Sequence, residues 1–335
     1  MDTTSRTGDA ADPDEGARPN ALLPVSHLLR ISLYWLGLTA IDAAVILFIT
    51  NRLEFDHLVP TDSVGSSMFL IVIGAAITGI LIQPTVGYVS DYTVSRWGRR
   101  KPYIVFGSLF DVVFLMGIAT GNSVAVLALF MFLLSVSTNI ARGPFQGYVP
   151  DLVAEPQVGL ASGMVGMMQI VGNVTGFLLV SLSVGLGIMP LSLVAVAIVE
   201  VLTMAGVVLR VGRGMPPRPR RGKSWIGIAR GAWSTDILGE RSYVWLLASR
   251  LLFLTAGSLL VNFVVIYLGR AFGMSKEEAN SIYVVILIVV VLANVVAILP
   301  ASRLSDRIGR KPIIFAACAF AAGGSAVIAL APSVP

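Results

Sequence analysis

Five ionisable residues stand inside long apolar runs of this sequence: Asp42, Asp111, Arg142, Glu200 and Arg250. A charge at mid-bilayer costs about 2.5–3.5 kcal/mol on insertion scales, so such residues face a protein interior or a wet cavity and carry function by default. Carboxyls there bind and release protons, which makes Asp42, Asp111 and Glu200 the candidate proton-coupling residues. A fixed guanidinium and amides bind hydroxyl-rich ligands. Arg142 shares a helical stripe with Ser135, Asn139 and Gln146, and a second stripe carries Gln169 and Asn173 among glycines. Trp35 lies seven residues before Asp42, on the same helical face, where its ring could stack on a sugar. Each group also has a structural reading. Asp42 and Arg142 could be an ion pair that only joins helices, and Asp111 and Glu200 could be interhelical contacts. Gln169 and Asn173 could be packing glue, and Trp35 an interfacial anchor. The residues alone leave both readings open.

Other chemistries lack their parts. One cysteine, Cys318, and two histidines, His27 and His57, supply no H-E-x-x-H and no C-x-x-C. No metal site, no cofactor and no nucleophile–base constellation is expected, and an enzyme ranks last.

The elements that must position these groups follow from hydropathy. The 335 residues are 56% apolar and 13% charged, against roughly 45–50% and about 25% in soluble chains. Mean hydropathy is +0.83. Nine runs reach spanning length: 31–50, 65–90, 103–119, 124–146, 158–180, 187–209, 243–268, 279–300 and 313–331. Each is too long for a barrel strand, so the fold class is all-α, a polytopic membrane helical bundle. With the N-terminus inside, 20 Lys and Arg lie on the inner side, counting Arg142 at the inner end of its run, and three on the outer, which sets a cytoplasmic N-terminus. Asp42 lies about 18 Å into its helix, near mid-depth. The net charge of +5 therefore belongs to loops at a bilayer and not to a nucleic-acid surface. Residues 1–26 read as a disordered cytoplasmic tail, 27–210 as a six-helix body, 211–242 as a basic, Pro-rich cytoplasmic linker acting as a hinge, and 243–335 as three further helices.

Two loops repeat. Gly87-Tyr-Val-Ser-Asp91 leads to Gly98-Arg99-Arg100-Lys101-Pro102, and Ser302-Arg-Leu-Ser-Asp306 leads to Gly309-Arg310-Lys311-Pro312. Both follow an even-numbered span, and repeated halves mark transporters. This pattern resembles the major facilitator superfamily, whose members have twelve helices in two halves. The resemblance implies that fold here, with a six-helix N-terminal half and an incomplete C-terminal half. The chain then reads as truncated after its ninth helix.

Gln83-Pro84 through Pro102, with Asn139-Ile-Ala-Arg142-Gly143-Pro144, Pro150-Asp151-Leu152 and Gly163…Gln169…Gly172-Asn173…Gly176, resembles the sucrose and glycoside carriers. These are the plant sucrose–proton symporters and the solute carrier family 45 relatives. The resemblance implies a multi-pass protein of the cell membrane that moves a sugar by alternating access, with proton symport. Trp35, Gln83, Asn139, Arg142, Gln146, Gln169 and Asn173 would bind substrate, and Asp91, Arg99, Arg100, Asp306 and Arg310 would form the inside gate. Two departures matter. Gln83 and Gly79 replace the acids of the melibiose-permease sodium site, and Ser135 replaces an acid usual in plant sucrose carriers. The alternatives are an exporter of the same fold and a truncated, non-transporting membrane protein.

Overall fold

The apolar runs become helices because only a helix satisfies its own backbone groups in lipid. The computed structural model describes residues 21–54, 58–233, 239–274 and 276–330; the first 20 residues of the expected tail lie outside this set. Long helices are α2 (Tyr34–Glu54), α3 (Val64–Ser90), α4 (Lys101–Thr120), α5 (Val124–Gln146), α7 (Val158–Gly185), α8 (Met189–Arg210), α10 (Arg241–Phe272), α11 (Lys276–Ile308) and α12 (Arg310–Leu330). Short helices α1 (Val25–Ser32), α6 (Tyr148–Leu152) and α9 (Trp225–Gly231) sit at their ends. No strand occurs among the described residues. Eight helices among those residues are long and apolar enough to cross a membrane. The seventh expected run falls on α10, where the side chains of residues 258–266 lie outside the description.

The chain forms two compact units. The first holds the residues up to Val158 together with Gly172–Ala232. In it α5 packs on α3 and α4, and α8 packs on α2 and α4. Close approach depends on glycine at two crossings. A Cβ on Gly143 would collide with the Gln83 carbonyl of α3, and one on Gly176 with the Ala40 carbonyl of α2. Pro84 and Pro144 stand inside α3 and α5, each removing one ladder donor at the level of these polar residues. Phe48, Ile41, Leu115, Leu127 and Leu193 are among the buried apolar core.

The surface inverts the soluble pattern. Phe69, Leu70, Ile80 and Phe110 are exposed, whereas Ser108, Asp111, Ser137, Asn139 and Glu200 are buried. Apolar rows turned outward and hydroxyls and acids turned inward are what a lipid solvent selects.

The second unit holds Gly159–Val171 and the chain from Trp233 onward. Here α11 packs against both α10 and α12. Tyr267 donates to the Ile328 carbonyl at 2.6 Å, tying α10 to α12.

Candidate functional site

An acid on α2 and a base on α5 meet inside the first unit. Arg142 Nη2 donates to Asp42 Oδ2 at 2.6 Å. Its guanidinium is 20% exposed and the Asp42 carboxylate 45%. Asp42 is thus wet on one side and charge-paired on the other, on a helix whose neighbours Ile41, Ala43, Ala44 and Val45 are buried. An ion pair with an open face leaves room for its guanidinium to change partner.

The other residues of the α5 stripe divide. Asn139 is buried, and its Nδ2 donates to the Ser135 carbonyl at 2.7 Å. Ser135 Oγ in turn reaches the Ala75 carbonyl of α3 at 2.8 Å and pairs with Thr78. This row holds α3 to α5. Gln146, at the end of the stripe, is exposed, as is Asn173 on α7. Gln83 is half-buried beside the Gly143 crossing. Gln169 is half-buried on the stretch of α7 that belongs to the second unit. Trp35 is buried, its ring 5.6 Å from that of Phe145, which also meets Tyr34 and Tyr148. The indole is therefore part of an aromatic cluster joining α2 to α5.

Asp111 and Glu200 lie fully buried on α4 and α8. Asp111 Oδ1 accepts from Ser137 and, at 3.0 Å, from Thr138. Glu200 Oε1 accepts from Tyr34 at 3.3 Å, and the Tyr34 hydroxyl also pairs with Ser108 at 2.5 Å.

The first repeated loop closes on its own body. Arg99 Nη2 grips both oxygens of Asp151 at 2.8 Å, and Arg100 grips them at 2.7 and 3.0 Å. Asp91, at the end of α3, sits 3.2 Å from Arg100 and 3.6 Å from Arg99. Two cations thus face two anions. Arg100 also donates to the Pro144 carbonyl at 2.8 Å and Arg99 to the Pro216 carbonyl at 3.3 Å. Lys101 donates to the Val208 and Val211 carbonyls at 2.8 and 2.7 Å, the carbonyl end of α8 where a cation is favoured. Asp151 was not among the expected site residues; its signal was its place in the Pro150-Asp151-Leu152 block.

The second loop behaves differently. Asp306 Oδ1 and Oδ2 accept from the backbone N–H groups of Gly159 and Leu160 at 2.7 and 2.8 Å. Helix α7 has no side-chain cap of its own, so a carboxylate on α11 supplies it. Arg310 is exposed at the start of α12.

Comparison with known proteins adds to this geometry. The sequence profile of the Major Facilitator Superfamily matches residues 28–335. A general alpha-glucoside permease of Schizosaccharomyces pombe is 33% identical over a stretch covering 33% of this chain and 23% of the permease. A sucrose transport protein of Arabidopsis thaliana is 30% identical over 30% of this chain and 21% of its own. A sucrose transport protein of Oryza sativa subsp. japonica is 28% identical over 30% and 23%. The match thus spans about a quarter of each relative's length.

Proposed function

The chain belongs to the Major Facilitator Superfamily, and on that premise we propose that it serves proton-coupled uptake of a glycoside by alternating access across the cell membrane, N-terminus inside. The observation that carries this reading is the Asp42–Arg142 pair, an open-faced carboxylate held to a guanidinium within an apolar bundle. Protonating Asp42 removes its charge and frees Arg142 to bind a sugar hydroxyl. Sugar arriving at Arg142 frees Asp42 to take a proton. Each ligand favours the other through one shared group, and that is coupling.

The exposed amides Gln146 and Asn173 suit direct sugar contact, with Gln83 and Gln169 as half-buried candidates. Trp35 and Asn139 act through packing, by holding Phe145 and Ser135. Asp111 and Glu200, buried with Tyr34 and Ser108, are the further proton-coupling candidates. Asp91, Arg99 and Arg100, with Asp151, brace the first gate loop. Asp306 braces the second, and Arg310 stands free to meet an acid. The glucoside and sucrose names of the relatives favour a disaccharide.

The test is uptake of labelled sucrose and maltose into proteoliposomes of the full-length protein. Accumulation above the external concentration when the outside is more acidic, abolished by a protonophore, is the expected result. Sugar-independent proton flux, or sugar equilibration that ignores the pH difference, would defeat the symport reading.

A further inference from the structure

We propose that the segment Arg218–Ile226 is a docking surface for anionic phospholipid headgroups at the face of the membrane where α3 ends. The segment is fixed in place and does not float. The Arg218 N–H donates to the Asp91 carbonyl at 2.7 Å, and Pro216 accepts from Arg99 at 3.3 Å. Further on, Ile228 of α9 is buried, and the Tyr88 ring of α3 lies against Gly231.

Between these anchors the backbone makes a tight turn. Lys223 N–H donates to the Arg220 carbonyl at 2.8 Å, with Arg221 at φ 43° and Gly222 at φ 79°. An arginine in the left-handed region is uncommon and strained. The turn presents Arg218, Arg220, Arg221 and Lys223, all exposed. No acidic residue occurs between Glu200 and Asp236 in the sequence.

Next to it stands an apolar step. The Arg220 guanidinium lies 4.9 Å from the Trp225 ring centroid, which holds the indole among the charges. Trp225 and Ile226 are exposed, Ile226 at 68%. Ile226 is two residues before the buried Ile228, on the opposite side of α9. Helix α9 packs on α3, whose exposed Ile77, Ile80 and Leu81 form a lipid-facing row. Basic residues meeting headgroups, with an indole and an isoleucine at the acyl boundary, form the interfacial arrangement. A soluble polyanion would use the charges and leave Ile226 in water. The segment also follows the spanning helix α8 directly, which fixes it at a membrane.

The test places the probe at the apolar step. Ile226→Cys is made in a Cys318→Ala background, because Cys318 is exposed, and labelled with a nitrobenzoxadiazole fluorophore. The full chain is reconstituted in phosphatidylcholine vesicles with or without phosphatidylglycerol. The expected result is a blue-shifted emission, quenched by spin-labelled lipid, only with phosphatidylglycerol and lost in high salt. The Arg220→Gln/Arg221→Gln/Lys223→Gln chain, whose substitutions are all on the surface, keeps its thermal midpoint and loses the shift. Water-like emission in both vesicles overturns the proposal. Equal quenching in both also overturns it, because contact would then be apolar without headgroup selectivity. A shift produced by an added oligonucleotide but not by phosphatidylglycerol assigns the patch to a soluble polyanion. Sugar uptake by the same vesicles reports separately, so transport can fail while lipid docking stands.

Discussion

At the scale of single residues, the two aspartates of the first loop carry unequal loads. Asp151 is 6% exposed and takes four short bonds from two arginines, while Asp91 is 18% exposed and makes longer ion pairs. Removing one member of a buried charge network leaves its partners uncompensated, at about 3–5 kcal/mol. Asp151→Asn should therefore lower the thermal midpoint of the detergent-purified protein far more than Asp91→Asn. A larger effect at Asp91 would contradict the geometry. The same contrast shows what the sequence could reveal. Asp42 and Arg142 were legible because a charge in lipid must find a counter-charge. Asp151 was not, since it lies past its apolar run, and Arg99 and Arg100 already had a topological explanation there. For Trp35 a helical wheel gives a face but not the Phe145 ring that lies beside it.

At the scale of elements, α2, α3, α4, α5 and α8 of the first unit were legible from run length alone, because lipid imposes the helix regardless of propensity. What run length does not encode is how one element ends another. Helix α7 starts after Glu155-Pro156-Gln157 with free N–H groups, and its cap arrives from Asp306, 146 and 147 positions away. The repeated loop marked Asp306. Loss of a helix cap costs about 0.5–2 kcal/mol. Asp306→Ala should speed amide exchange at Gly159 and Leu160 in deuterium-exchange mass spectrometry, while α4 and α8 stay protected. Unchanged exchange at those two amides would mean the contact does not persist in the membrane. The stretch 211–242, read as a hinge from proline and charge, instead carries α9 and clusters up to Ala232 with the first unit. Composition recorded its charge and proline, while the burial of Ile228 marks the docking of α9.

At the scale of the molecule, the first unit is a bundle turned inside out, with acids and hydroxyls inward and aliphatic rows outward. Such an interior tolerates charge only in balance, and this gives a way to separate folding from coupling. Asp42→Asn leaves the Arg142 guanidinium without its carboxylate, so a loss of transport in that variant would confound misfolding with lost proton binding. Asp42→Asn with Arg142→Gln removes both charges together, and replacing both partners costs much less than stranding one. The double variant should recover the thermal midpoint lost by the single one and still fail to concentrate sugar against its gradient. Exchange of labelled for unlabelled sugar in Asp42→Asn needs no net proton movement and should persist wherever Arg142 still binds. Accumulation driven by a pH difference in the full-length Asp42→Asn protein would place the coupling proton elsewhere, and the Asp111–Glu200 pair would then be the remaining buried acids able to hold it. A double variant that stays as unstable as the single one would show instead that the pair is a helix clamp, and the open face of Asp42 would have no part in transport.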